Sequence, residues 1–567
     1  MAKRKQITEE SSDDGSDSAH SSYEPVKGSK TFQTKKRRKV SAVSSGDEDD
    51  DGSLLSTYPN SHARSRHVIS AAAQQRDALL AWYSNVHDSR GMPWRKPYDR
   101  SFDADARAQR AYEVWVSEIM LQQTQVATVK PYYTKWMINF PTIKHLAASD
   151  IDTVNGLWKG LGYYSRAKRL LDGARKVVEE LDGRLPSNAK DMESLIPGIG
   201  RYTAGAICSI AYNEQVPVLD GNVNRLLSRV LALHSNPKSK TTLDTLWAGA
   251  DAMVKGSSSP GDVNQALIEL GSTVCKPREP ACVSCPLKPW CQAYKGTEVA
   301  PSSPPHHTAV PDIEDLCSTC VPIPSVEGQD VPPVVSYPMK GERKKQREEL
   351  DIVNVVEWRN DEDRWFLLIR RPEGGLLAGL HEFPTTPDVS LSISSKEEKN
   401  IPRVLLSTMF KKPPVGLRSD SKSTTPPSTA SRDIGEAPSI VKIQRAGDVL
   451  HVFSHIRKTY RVQWVVLEGG GSASAPPELV PNSTQLTSKN AKAVKHKGVK
   501  KGHTKVSSDE AATGAITGAT ASPASAMWLR LDEVEHANIG TGVMKVWALA
   551  RSLWSNGINS APRTSSR

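Results

Sequence analysis

The apolar and polar positions of this chain fall into three regimes. From about His67 to Gly296, apolar residues recur at helical spacing between short turn signals, with little strand-like alternation, which predicts an all-α domain over residues 68–297. Near Leu350 the pattern changes: "DIVNVVEWRNDEDRWFLLIRRP" sets β-rich runs on both sides of a polar turn around Asp361 to Asp363, the mark of a hairpin. Further β-rich runs, "VLHVFSHI" and "YRVQWVVLEG", extend this to an α+β domain over 348–555, followed by a tail, 556–567. The third regime has neither period. Residues 1–67 and the stretches about 388–445 and 470–524 are rich in small and polar residues and are expected to be disordered. "APSSPPHHTAVP", Ala300 to Pro311, reads as part of a connector spanning 298–347, and no internal repeat is detected.

One helical segment stands apart. In "WVSEIMLQQTQV", Trp115 to Val126, the residues around Glu118 are apolar on nearly every side, so this helix must be buried, and the carboxylate with it. An ionised, unpaired carboxylate there costs several kcal/mol, roughly, and the usual outcome is a raised pKa.

Composition narrows the setting. A length of 567 residues is too great for one ordinary domain, and an excess of 74 Lys and Arg over 63 Asp and Glu leaves a net charge of +11, which suits a polyanionic partner. No apolar run is long enough to span a bilayer and "MAKRKQITEE" lacks the core of a secretion signal, so a soluble intracellular protein is expected. "KRK", Lys3 to Lys5, and "KKRRK", Lys35 to Lys39, read as a bipartite import signal, so the nucleus is the expected location, with mitochondrial residence left open. Seven cysteines, an odd number crowded mainly between Cys275 and Cys320, argue for metal rather than disulfides.

Two motifs carry chemistry. "CKPREPACVSCPLKPWC" puts Cys275, Cys282, Cys285 and Cys291 within seventeen residues, broken by prolines that forbid regular helix, so four thiols can wrap one small tetrahedral object. A structural zinc usually takes two paired knuckles, and only Cys282 and Cys285 form such a pair, so an iron-sulfur cluster is the better reading. In "SLIPGIGRYTAGAI", Pro197, Gly198 and Gly200 make a tight turn before a helix, whose backbone N–H groups can approach a phosphate. Thirteen residues after Ile207, Asp220 stands in "LDGNVNRLLSR" ahead of another apolar periodic run.

Taken together, the hairpin, the later aspartate and the cysteine spacing resemble the helix-hairpin-helix superfamily that includes endonuclease III. "MPWR", "WVSEIMLQQTQV", "WKGLGYYSRA", "DGNVNR" and "DVNQALIELGSTVC", in that order, are similar to MutY-type adenine DNA glycosylases, in a eukaryotic-like form. The resemblance implies a 4Fe-4S cluster on the four cysteines, with Lys276 and Arg278 facing phosphate. It implies Glu118 as the acid that protonates adenine, Asp220 as the carboxylate that steadies the sugar cation, and Tyr202 and Asn222 as the groups that order them. Trp94, Arg95 and Gln265 match the adenine pocket; Gln123 and Tyr163 match residues that wedge the duplex while the base is turned out. Where bifunctional relatives carry a lysine after the hairpin this chain has Tyr202, and where some bacterial members carry a second lysine it has Asn224, so hydrolysis without lyase chemistry is expected.

"IRRPEGGLLAGLHEFP", Ile369 to Pro384, resembles the start of a MutT-like (Nudix-like) fold, but the glutamate-rich magnesium helix does not follow, which argues against a nucleotide hydrolase. In the family this domain recognises 8-oxoguanine through a Phe-Ser-His loop, here Phe453, Ser454 and His455, with Arg457 and Lys458 near enough for phosphate. The expected substrate is double-stranded DNA with adenine opposite 8-oxoguanine or guanine, bound by a monomer, with sliding-clamp and checkpoint proteins as candidate partners of the connector. Cys317 and Cys320 in "DLCSTCV" form a candidate zinc pair with His306, His307 or Cys208 as further ligands. The competing readings are a bifunctional endonuclease III-like glycosylase and lyase, and a non-catalytic DNA-binding protein.

Overall fold

The structure, a computed structural model, describes residues 62–298, 312–324, 333–341, 345–360, 363–372, 377–416, 437–453, 455–472, 474–480 and 526–558. Packing divides the chain into two compact units, one of residues up to Ala147 with Asp172–Glu342 and the other of Ala148–Leu171 with the residues from Arg343 onward.

Among the described residues, the regular elements of the first unit are helical: α1 (Ala72–Val86), α2 (Ala104–Leu121), α3 (Val126–Asn139) and α4 (Ile143–Ala147). Helix α5 (Ile151–Trp158) and the start of α6 (Ser165–Glu180) belong to the second unit, and the first continues with α7 (Ala189–Leu195), α8 (Arg201–Ala211), α9 (Gly221–Val230), α10 (Lys240–Val254), α11 (Pro260–Thr273) and α12 (Gln292–Glu298). Helix α2 is the buried one: Asp103 caps it by accepting from Ala106 N–H, and it buries Tyr112, Val114, Trp115, Val116, Ile119 and Met120. It packs on α8, whose run of small residues permits close approach. A Cβ at Gly205 would lie 2.6 Å from the Pro217 carbonyl oxygen, so this position must be glycine. Helices α9, α10 and α11 enclose a second core of leucines, including Leu226, Leu246, Leu267 and Leu270, closed by Leu79 and Tyr83 of α1.

The second unit is built on a seven-stranded sheet whose path runs β3 (His381–Glu382), β2 (Arg364–Arg370), β1 (Arg347–Arg359), β6 (Ile456–Glu468), β5 (Ser439–Val452); β4 (Thr385–Thr386) pairs with β1 and β7 (Ala526–Arg530) with β2. Strands β1 and β2 form the expected antiparallel hairpin, with Arg359 opposite Arg364. Strand β1 runs parallel to β6 and is buried almost throughout, as a strand covered on both faces must be. Two helices provide that cover. Trp547 and Ala550 of α14 (Thr541–Ile558) join the core with Phe366 and Val462, while Leu406 of α13 (Ser395–Ser407) joins the core with Val356 and Val465. The unit is therefore α+β.

Three expectations of disorder need correction. The stretch 388–445 contains α13, which starts with a capping box: the Ser394 hydroxyl accepts from Glu397 N–H while the Glu397 carboxylate accepts from Ser394 N–H. It also contains the start of β5, which pairs with β6. In 470–524 residues 470–472 and 474–480 are described, and Val480 N–H donates to the Met409 carbonyl. The end of the tail expected at 1–67 is also ordered: Arg64–His67 form a short 3₁₀ turn with His67 buried. The first has its own apolar run, Val404 to Leu406 with Met409 and Phe410, diluted by the polar residues on either side, while the others are ordered by contact with distant chain, which local composition does not encode. The import motifs, His306, His307 and Ser454 lie outside the described residues.

Candidate active site

Glu118 sits near the C-terminal end of α2, enclosed by protein yet with part of its surface accessible. The Tyr202 hydroxyl, on the first turn of α8, donates to Glu118 Oε2 at 2.9 Å. Burial pushes the Glu118 carboxyl up to about 7; the Tyr202 bond and the charge of Arg95 oppose this, and Asp220 adds to it. The same burial, with Glu118 beside it, holds the Tyr202 phenol well above its ordinary value, so it stays a neutral donor.

Asp220 reaches this pocket because it is the N-cap of α9. Its Oδ1 accepts from Val223 N–H at 2.7 Å and its Oδ2 from the Asn222 side-chain amide at 2.8 Å. Burial raises its pKa while those two bonds act the other way. Arg225 continues the chain of contacts, donating to Asn222 Oδ1 at 2.9 Å, to the Gly271 carbonyl at 2.7 Å and to the Cys275 carbonyl at 2.9 Å. Helix α11 comes this close because residue 271 lacks a side chain: a Cβ there would lie 2.7 Å from the Asn222 carbonyl oxygen.

Arg95 is held by a residue the sequence motifs did not single out. Its guanidinium donates to Glu269 Oε2 at 2.5 Å and to the His87 carbonyl at 3.2 Å, and Arg90 lies 3.1 Å from the same Glu269 oxygen. Gln265 precedes Glu269 by one helical turn on α11, and its side-chain amide donates to the Gly261 carbonyl. Trp94 is buried, with its ring edge-to-face on Tyr133 at 5.3 Å.

At the hairpin Gly198 takes φ +83°, a left-handed conformation that favours glycine. Gly200 is the exposed N-cap of α8, with open space where a side chain would stand. Gln123, in the turn after α2, has φ +55°, and Tyr163, before α6, has φ +49°. Six other residues besides glycine take a positive φ among the described residues, so the conformation alone does not mark these two. Tyr163 is also 47% exposed, unusual for so large a ring.

The four cysteines of the loop before α12 line one small cavity together with Arg229 and Lys288. Arg229 donates to Cys275 Sγ at 3.3 Å and to the carbonyls of Lys276 and Pro277 at 2.7 and 3.0 Å, pinning the start of the loop to α9. Burial pushes the thiols of Cys285 and Cys291 up to about 12 and about 11. Four sulfurs facing one small space with a guanidinium behind them fit a metal cluster, whose charge would hold them as thiolates. Lys276 and Arg278 are exposed on this loop.

A second metal-competent group has other ligands than the sequence suggested. Cys208 is buried beside the Pro186 carbonyl, and the residues that join Cys317 and Cys320 are His62 and His67; all four donor atoms lie within 4.8 Å of one another. His67 Nε2 is 3.3 Å from each sulfur and 2.9 Å from His62 Nε2. Its Nδ1 is 2.9 Å from the Leu231 carbonyl, a bond that fixes the tautomer leaving Nε2 free to bind metal. Two isolated histidines just ahead of a helix carry no local signal of this arrangement.

In the second unit, Phe453 N–H donates to the Ile456 carbonyl and Arg347 N–H to the His455 carbonyl, fixing both sides of the turn between β5 and β6. The Phe453 ring packs edge-on against His451 at 4.6 Å. Arg457 and His455 are exposed, but Lys458 is not available to phosphate: it is buried, with Nζ 2.7 Å from Asp351 and 2.9 Å from Glu349. Successive residues of a strand face opposite ways, and Lys458 falls on the inner side.

Residues 116–250 match the HhH-GPD superfamily of base excision DNA repair proteins. The chain is 41% identical over 423 residues to the adenine DNA glycosylase of Homo sapiens, covering 73% of this chain and 70% of that one. Against the adenine DNA glycosylase of Schizosaccharomyces pombe it is 37% identical over 419 residues, 72% of this chain and 83% of that one. Among solved structures, a thermostable thymine-DNA glycosylase aligns with 40% of this chain and 99% of its own, at 25% identity and a TM-score of 0.34. A chain so similar, over most of both lengths, to adenine DNA glycosylases belongs to that family, the base excision repair hydrolases that act on the N-glycosyl bond of adenine.

Proposed function

We propose that this protein removes adenine mispaired with 8-oxoguanine, or with guanine, from duplex DNA by monofunctional hydrolysis. The observation that carries the reading is the Tyr202–Glu118 hydrogen bond inside an enclosed pocket that also receives Asp220. A carboxyl with a pKa of about 7 is about half protonated at neutral pH, where an ordinary glutamate is almost wholly ionised, and can deliver its proton to N7 of adenine. The bond from Tyr202 occupies Oε2 and leaves the other oxygen to hold that proton. As the glycosidic bond lengthens, positive charge grows on the sugar, and Asp220, whose carboxylate is favoured by Val223 N–H and Asn222, stabilises it. Tyr202 offers no amine, so no Schiff base forms and no lyase step follows. Trp94, Arg95 and Gln265 bind the extruded adenine, while Gln123 and Tyr163 fill the duplex it leaves.

The exposure of Gln123 and of the Tyr163 ring supports the wedge reading, since a side chain that enters the duplex must be reachable from it. The hairpin at Gly198 and Gly200, with Lys276 and Arg278, contacts phosphate. Cys275, Cys282, Cys285 and Cys291 hold a 4Fe-4S cluster, which supplies a charged cross-link that orders the loop. His62, His67, Cys317 and Cys320 suit zinc, with two nitrogens and two sulfurs in tetrahedral reach. Phe453, Ser454 and His455 read the 8-oxoguanine, the protein acts in the nucleus as a monomer, and the connector receives sliding-clamp or checkpoint proteins.

The test is single-turnover incubation with duplexes bearing adenine opposite 8-oxoguanine, guanine or thymine, followed by alkali cleavage. Release fastest opposite 8-oxoguanine and slowest opposite thymine is expected; equal rates on all three would remove the mispair specificity.

A further inference from the structure

The pocket holds a cation close to the acid. The charge of Arg95 favours ionisation of Glu118, which would defeat an acid that must stay protonated until it meets adenine. Arg95 does not act alone, because α11 delivers a carboxylate to it. The Glu269 side chain is 1% exposed and its Oε2 meets Arg95 at 2.5 Å, with the Arg95 side chain itself 6% exposed. Arg90 approaches the same oxygen from the outer side at 3.1 Å and is 31% exposed, so its charge is shared with solvent.

We propose that Glu269 is a positioning residue for adenine release: it fixes the Arg95 guanidinium against the pocket wall and offsets its charge, so that Glu118 faces a wall close to neutral. The inference rests on the reading of Glu118 as the acid and Arg95 as a pocket residue. The charges around the two carboxyls are few. Glu118 is faced by Tyr202, Asp220 and Arg95, and Glu269 by Arg90 and Arg95, with Tyr83, His87, Asp262 and Asp88 grouped beyond Arg95. Arg95 is therefore the one cation acting on Glu118 among these groups, and Glu269 its counter-charge. A guanidinium released from Glu269 would also be free to turn, and a swing toward Glu118 would pair it directly with the acid.

The sign of the effect follows. Removing the Glu269 charge strengthens the cationic field at Glu118, lowers its pKa, and leaves less of it protonated at neutral pH. Removing the Arg90 charge acts the other way. Single-turnover rates of adenine release are measured from about pH 5 to about pH 9 on the full-length protein and three variants, with the reaction amplitude reporting the active fraction. For Glu269→Gln, the limb on which activity falls with rising pH is expected to move to lower pH by about one unit, with roughly fivefold slower release at neutral pH and about tenfold slower release well above it. Glu269→Asp restores most of that shift, and Arg90→Gln leaves the limb in place or moves it slightly upward. A Glu269→Gln protein that loses amplitude or rate with its limb at the wild-type pH has lost only structure, and the proposal falls. It falls equally if Arg90→Gln moves the limb downward, a measurement that stands even where Glu269→Gln folds poorly. Failure of the underlying reading looks different: Glu118→Gln would then release adenine at the wild-type rate.

Discussion

Each unit buries carboxylates in a polar cluster, and the two clusters are built on opposite plans. In the sheet unit, Lys458 lies between Asp351 and Glu349, neighbours on the adjoining strand β1. Burial pushes Glu349 up, but the bond to Lys458 and its charge outweigh that and hold Glu349 below its ordinary value; the same partners hold Lys458 above its own. In the helical unit, Glu118 is met by a phenol rather than a cation, and its carboxyl rises to about 7. A paired acid is fixed as a charge and helps hold two strands in register. An acid denied its own cation remains able to exchange a proton, and that is the property a glycosylase requires.

The contrast can be broken from either side. The largest effect belongs to Glu118→Gln, which keeps the shape and the Tyr202 bond but removes the proton: adenine release under single-turnover conditions should fall by about 10³-fold or more. Next is Lys458→Met, which leaves Asp351 and Glu349 buried without their cation. A loss of about 3 kcal/mol or more in the sheet unit is expected in denaturant unfolding, with the pH profile of base release unchanged. Third is pH itself. Release should decline as pH passes upward through about 7, by about tenfold per unit beyond it, because Glu118 loses its proton there; a rate flat to about pH 9 would contradict that assignment.

The smallest effect concerns stability. A carboxyl whose folded pKa is raised contributes stability below its unfolded pKa, and that contribution is lost as pH rises through about 7. Glu349 has the opposite sign, contributing above its ordinary value and losing that contribution as pH falls. Hence Glu118→Gln should stabilise the helical unit by about 1 kcal/mol at mildly alkaline pH and by little at about pH 4, a difference that thermal unfolding at the two pH values can read.

What could be read from the sequence divides along the same physical line. Glu118 is conspicuous because a charge interrupts an apolar helix, Asp220 because it stands in a loop-like DG context ahead of an apolar periodic run, and the four cysteines because they are local in the chain. The hairpin of β1 and β2 was legible because strand period and turn chemistry are also local. Glu269 escaped notice because its neighbourhood reads as an ordinary amphipathic helix, and its partners are 174 and 179 residues away in Arg95 and Arg90. His67 meets Cys317 across 250 residues, and nothing near His67 announces that closure. Helix α13 was hidden by a composition that also suits loops, although its capping box was there to be found.

One hydrogen atom in place of a methyl governs how tightly the two sides of the Glu118 pocket can nest. Residue 271 is glycine where α11 meets the first turn of α9, and its carbonyl is also the acceptor of Arg225. An alanine there has no room unless that turn is levered outward, and the turn carries Asp220 at its tip. The protein's tolerance for change is therefore narrow at a position that bears no functional group at all, and a variant chemist scanning only for acids, bases and metal ligands would pass over it.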